Sequence, residues 1–142
     1  MKTLAIVVPC YNEEETIPPF LEACQAVERQ MANQLAFNYY FVNDGSKDRT
    51  LEVLRQVSKQ FENVHYLSFS RNFGKEAALY AGLQRATGDY VTVMDADLQD
   101  PPELLIEMYA KSKKVMTLSG LDVLTAKVSH LFVHSLLRLS IG

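Results

Sequence analysis

The 142-residue sequence predicts an α/β fold, a mostly parallel sheet flanked by helices. Three observations carry that expectation. The strand-like runs are apolar almost throughout instead of alternating, as in strands covered on both faces. Segments with helical spacing separate these runs through short connections, the arrangement that parallel neighbours need. A polar cluster follows each of the four runs, and ligands of open parallel sheets bind beyond the carboxyl ends of the strands.

The elements follow in order. Thr3 to Pro9 reads as the first strand, with Cys10 to Glu15 as a polar loop after it. Thr16, with Pro18 and Pro19 in a first turn, opens a helix to about Asn33, because proline is tolerated where the N–H lacks a partner. Phe37 to Val42 is the second strand and ends in the turn signal Asn43-Asp44-Gly45-Ser46. Asp48 and Arg49 start the next helix, with Leu51, Leu54 and Val57 as its core stripe. Val64 to Phe69 is a third strand. Asn72 to Lys75 leads into a helix of mostly small residues able to lie close to a sheet, and Gly88, free to take a positive φ, is expected to stop it. Asp89 to Met94 is the fourth strand. Asp100-Pro101-Pro102-Glu103 reads as a capped helix start, with Asp as cap, Pro at N1 and Glu at N3, and that helix is expected to reach about Lys114.

Composition narrows the function classes. Residues 1–110 carry 9 Lys/Arg against 16 Asp/Glu, a net of −7, while residues 111–142 carry 5 against 1, a net of +4. The acidic body excludes a nucleic-acid binder and suits a site that needs a cation, and the basic end suits an anionic surface. Two cysteines, Cys10 and Cys24, without zinc spacing fit a reduced protein better than a disulfide framework. No h-region with a cleavage site opens the chain, so no signal peptide is expected. No window holds about 18 consecutive apolar residues, so no spanning helix is expected either.

Asp95 and Asp97 stand one residue apart after the fourth strand, and residues i and i+2 of an extended chain share a face. Such a pair can converge on Mg²⁺ or Mn²⁺, with substrate phosphates filling further positions; it is equally the chemistry of a turn. Tyr11 can stack on a nucleobase or pack on the first helix. Asp44 can accept from a ribose hydroxyl or a base N–H, and an Asx turn with Gly45 is compatible with that. Asp48, in a first helical turn, suits the helix dipole. Arg71 and Lys75 flank Gly74 at a helix start, where they can hold a phosphate, balance the acidic rim, or pair with Glu76 or Asp89. Neither a G-x-G-x-x-G after the first strand nor a Walker A loop is present, which disfavours dinucleotide binding and P-loop chemistry.

Four motifs lie in order over residues 3–110: Val7 to Glu13, Val42 to Thr50, Arg71-Asn72-Phe73-Gly74-Lys75, and Asp95 to Glu103. Together they resemble family 2 glycosyltransferases of the GT-A (Rossmann-like) fold, and within them the bacterial polyprenyl-phosphate glycosyltransferases related to dolichol-phosphate mannose synthase. The resemblance implies that Pro9, Tyr11 and Glu13 border the base and ribose, that Asp44 binds uracil or ribose, and that Arg71 and Lys75 lie near the diphosphate. It implies Asp95 and Asp97 as the metal-binding Asp-x-Asp, Asp95 also bordering the nucleotide, with Mg²⁺ or Mn²⁺ as cofactor. It implies inverting transfer of a sugar from a UDP-sugar to a polyprenyl (undecaprenyl) phosphate at the cytoplasmic face of the membrane.

After Lys114 the sequence departs from that family, whose members continue through a further part of the GT-A domain that supplies a catalytic acid. A C-terminally shortened fold is therefore expected, with residues 1–114 as the nucleotide-sugar-binding core and no identifiable catalytic base. Residues 115–142 form the second segment. Its helical order from Val123 to Ile141 places Leu124, Val128, Leu131, Phe132, Leu136 and Leu139 on one stripe, beside Lys127, His130, His134 and Arg138. That segment suits a membrane surface, a homo-oligomer contact or docking on the sheet. His130 and His134 lack a third ligand for a metal. A nucleotide-sugar-binding module without its catalytic part is the other reading.

Overall fold

The structure, a computed structural model, describes residues 1–112 and 122–125. It consists of β1 (Lys2–Cys10), α1 (Ile17–Gln30), β2 (Leu35–Asn43), α2 (Thr50–Gln60), β3 (Val64–Ser68), α3 (Lys75–Arg85), β4 (Tyr90–Val93), α4 (Leu104–Ser112) and β5 (Asp122–Thr125). The five strands form one sheet in the order β3-β2-β1-β4-β5, and every pairing is parallel.

The central strands are buried on both faces, as their uninterrupted apolar runs require. Along β1, Leu4, Ile6, Val8 and Cys10 enter one core with Ile17, Phe20, Leu21, Cys24 and Val27 of α1, Leu54 of α2 and Leu105 of α4. The alternate residues Ala5 and Val7 enter a second, smaller core with Tyr40, Leu79, Val91 and Val93. α3 covers that second face. A Cβ added to Gly82 would lie 2.5 Å from Val7 Cγ1 and 3.1 Å from Val42 Cγ2, so the small-residue helix does lie directly on the sheet.

Between β3 and β4 the chain crosses back over the sheet. Successive strands therefore run outward from β1 to β3, then restart on the other side of β1 at β4. The β1/β4 junction is the topological switch point, and a crevice opens at the carboxyl ends of these strands.

Several boundaries differ from the sequence expectation. The stripe of α2 is Thr50, Val53, Leu54 and Val57, while Leu51 stays outside both cores; the spacing i, i+3, i+4, i+7 holds one helical face better than i, i+3, i+6. α3 ends because Ala86 turns extended (ψ 131), and Gly88, two residues later, takes no positive φ. Gly88 instead lies against the start of β1, its added Cβ 3.2 Å from Thr3 Oγ1. α4 begins at Leu104, behind a tight turn in which the carbonyls of Pro101, Pro102 and Glu103 accept from Leu104, Leu105 and Ile106. Pro102 disfavours the helical region for Pro101, which delays the helix beyond the Asp100 cap.

The largest difference lies in the second segment. Asp122–Thr125 is a strand paired with β4, where helical order was expected from Val123. The rest of the expected stripe, from Val128 to Leu139, lies outside the described residues, as do Lys127, His130, His134 and Arg138 beside it. Among the described residues no helix is long and apolar enough to cross a membrane.

Candidate functional site

The four loops that follow β1 to β4 are tied to one another by side chains. The β1–α1 and β2–α2 loops are joined by four bonds. Ser46 Oγ accepts from Asn12 N–H (2.9 Å), Asn12 Oδ1 from Lys47 N–H (2.9 Å), Thr50 Oγ1 from Glu13 N–H (2.9 Å) and Asp48 Oδ2 from Glu14 N–H (3.3 Å). Asn12 takes a φ of 53, a left-handed value that asparagine tolerates. Asp48 also accepts from the N–H and hydroxyl of Thr50 through Oδ1. Desolvation acts to raise the Asp48 pKa, but these hydrogen bonds outweigh it and hold the carboxyl below its ordinary value. Because α2 starts only at Thr50, Asp48 caps the helix from outside instead of sitting in its first turn.

Asp44 ties the second loop to the third. It is buried, and its carboxylate accepts from Phe73 N–H (2.8 Å), Gly74 N–H (3.1 Å) and Asn72 Nδ2 (3.1 Å). A carboxylate has about four lone-pair sites, so one is left for a ligand. The turn after β2 is capped by Asn43, whose Oδ1 accepts from Ser46 N–H. Gly45 takes a φ of +63 and lies so close to the next loop that an added Cβ would be 2.1 Å from the Arg71 carbonyl carbon.

The fourth loop joins through an ion pair. Lys75 Nζ lies 2.9 Å from Asp95 Oδ1. Asp95 and Asp97 are exposed on either side of the buried Ala96, so both carboxylates share a face, as their spacing predicts. Asp97 Oδ1 accepts from Gln99 N–H (3.2 Å), and Leu98 between them takes a φ of 61, a strained conformation for leucine. The turn and the shared face therefore coexist.

A cavity of about 300 Å³ opens inside this ring of loops, lined by Pro9, Cys10, Tyr11, Glu13, Asp44, Lys75, Ala78, Asp95, Asp97 and Gln99. Seven of the eight residues expected to form the site line it. Arg71 does not: its guanidinium lies 4.4 Å from the centroid of the Phe73 ring, on which it stacks. Gly45 and Asp44 fix the backbone of residues 71–74, and the exposed Phe73 ring offers the cation a face there. Lys75 pairs with Asp95, not with Glu76 or Asp89; the Asp89 carboxylate is taken by Thr3 N–H at 2.8 Å.

The lining holds four carboxylates and one ammonium, which repels a bare diphosphate. The hard oxygens of Asp95 and Asp97, exposed on an open cavity, fit a divalent cation such as Mg²⁺ or Mn²⁺. Among the described residues no three metal-ligating side chains converge, so such an ion would need water or phosphate oxygens to complete its shell.

The model of the family described as Glycosyl transferase family 2 matches residues 5–120. The chain belongs to that family. It is 46% identical over 110 residues to an uncharacterized glycosyltransferase, YkcC, of Bacillus subtilis, covering 78% of this chain and 33% of that protein. It is 40% identical over 126 residues to a prophage bactoprenol glucosyl transferase homolog of Escherichia coli, covering 89% of this chain and 39% of the relative. The chain thus spans between about a third and two fifths of the length of these relatives. Among solved structures, residues 1–349 of S. aureus TarS in complex with UDP superpose with a TM-score of 0.62 at 26% identity, over 80% of this chain and 32% of that one. The parallel sheet and its flanking helices are the GT-A fold of the family.

In this family 2 chain, three lining residues escaped assignment from the sequence. Gln99 reaches the lining through the turn in which its N–H donates to Asp97 and Leu98 is left-handed, and Ala78 stands one helical turn from Lys75. Cys10 also lines the cavity but is 2% exposed, and both cysteines are free. Burial, reinforced by the Glu13 and Asp95 carboxylates, pushes the Cys10 thiol far above its usual range. Burial, then Glu103 and Glu28, push Cys24 up to about 12. Native protein at pH 8 is expected to react with iodoacetamide on the order of a thousandfold more slowly than protein unfolded in urea, because so little thiolate is present. Rapid labelling of the folded chain, read by mass spectrometry, would contradict both placements.

Proposed function

We propose that this chain forms the donor site of an inverting glycosyltransferase that moves a sugar from a UDP-sugar to a polyprenyl phosphate. The observation that carries this reading is the convergence of Asp95 and Asp97 with Tyr11 and Asp44 on one cavity at the switch point of the sheet. The bactoprenol named for the E. coli relative and the UDP named for TarS support the two substrate classes.

In this reading Tyr11, 41% exposed, stacks on the base, and the remaining lone pair of Asp44 accepts from the nucleoside. Asp97 and Asp95 would hold Mg²⁺ or Mn²⁺, which when bound would supply positive charge to the departing diphosphate. Lys75 lies within the same cavity as a second source of positive charge. The acceptor attacks from the face opposite the departing diphosphate, which inverts the anomeric centre. A phosphate monoester acceptor has a second pKa of about 6 and so arrives as an anion, which lessens the need for a general base. The net charge of +4 over residues 111–142 suits attachment to the anionic cytoplasmic face of a membrane.

Calorimetry with UDP, with and without Mn²⁺, tests the donor site. Affinity is expected to rise at least about tenfold with the ion, a typical coupling between two ligands; equal affinity in both titrations would remove the metal from the reading. Release of UDP from UDP-glucose in the presence of polyprenyl phosphate separates a transferase from a module that only binds the donor.

A further inference from the structure

The Lys75–Asp95 pair has a consequence for how the site fills. Lys75 opens α3 and Asp95 follows β4, so the fold, not a local helical turn, brings them to 2.9 Å. Their side chains are 58% and 46% exposed, and pairs so exposed contribute little to stability. Their effect on ligands is larger. The ammonium occupies an oxygen of one of the two carboxylates that face the cavity, and it adds a like charge beside any cation placed there. Asp97 differs: its Oδ1 accepts from the Gln99 N–H, and among the described residues it has no cationic partner.

We infer that Lys75 is an internal counter-ion that makes metal and nucleotide binding depend on each other. This rests on the donor-site reading above and goes beyond it. A divalent ion arriving alone must displace or sit beside the ammonium, so it binds weakly. A diphosphate arriving with it gives the flexible lysine another anion, and the movement of Nζ frees Asp95 for the ion. By linkage the effect is reciprocal: the ion strengthens nucleotide binding by the same factor. Lys75 here acts on the metal through Asp95, as a positioning residue.

The test is a titration of the whole chain with Mn²⁺, followed by the electron paramagnetic resonance of the free ion, alone and with saturating UDP. In the wild type, UDP is expected to tighten Mn²⁺ binding about tenfold or more. With Lys75→Met, Mn²⁺ alone is expected to bind about five- to tenfold more tightly than to the wild type, and the enhancement by UDP to shrink by a similar factor. Lys75→Arg keeps the charge and is expected to keep the weak binding of Mn²⁺ alone. A merely structural lysine predicts the opposite sign for Lys75→Met, because a damaged site binds more weakly. Unchanged or weaker Mn²⁺ binding to that variant overturns the inference and leaves the donor site standing. Absence of Mn²⁺ binding to the wild type, with UDP as well as without it, overturns the donor-site reading and this inference together.

Discussion

Asp97→Asn is expected to lower UDP affinity in the presence of Mn²⁺, and any turnover that depends on it, by about a hundredfold or more, the scale of losing one preorganised electrostatic group. The variant is chosen to separate two roles. Asparagine retains an oxygen that accepts from Gln99 N–H, so the turn and the left-handed Leu98 survive. What it loses is the negative charge directed at the cavity. Stability is therefore expected to change by no more than about 0.5 kcal/mol, as for most exposed positions. Asp97→Ala removes the turn bond as well and serves as the comparison. Calorimetry with UDP and Mn²⁺, beside a thermal melt, reads both effects. If the asparagine variant kept full metal-dependent affinity, the residue would be a turn-former only.

Gly45→Ala is expected to produce the largest loss of stability of any single-methyl change at the rim. A φ of +63 costs a non-glycine residue roughly 1–2 kcal/mol. The added Cβ would also lie 2.1 Å from Arg71 C and 2.3 Å from Asn72 N, both backbone atoms that no rotamer change can move aside. Relief requires shifting the loop that Asp44 holds by three hydrogen bonds. A total of about 3 kcal/mol or more follows, lowering the melting temperature by on the order of 10 °C. Because residues 72–74 lead directly into Lys75, nucleotide binding is expected to fall as well. A variant that melts within about 2 °C of the wild type would mean that the two loops are not in contact.

Much of this fold and site was legible because it is local. The apolar runs of β1 and β2 announce strands buried twice over, and Asp95 and Asp97 do come to one cavity as the Asp-x-Asp spacing suggests, although the chain at Ala96 and Asp97 is a turn and not an extended strand. What escaped is non-local. Nothing in the spacing of Lys75 chooses Asp95, 20 residues away, over its neighbour Glu76; the sheet order does, by placing the start of α3 above β1 and beside the end of β4. Arg71 matches the family motif, but its direction is set by Gly45 and Asp44 from another loop. β5 was hidden for a different reason. Four residues are too few for alternation to outweigh a helical stripe that begins inside them.

The knotting of each loop to the next has a consequence for selectivity. A mouth whose sides are already braced against each other has little freedom to reshape itself around a guest. On the donor-site reading proposed above, discrimination between candidate donors falls to groups whose valences the bracing leaves unspent, among them the ring of Tyr11, the last lone pair of Asp44, the second oxygens of Asp95 and Asp97, and the side chain of Gln99. On that reading, changing which sugar nucleotide is accepted is expected to need substitution of those atoms, and not lengthening or softening of the loops that carry them.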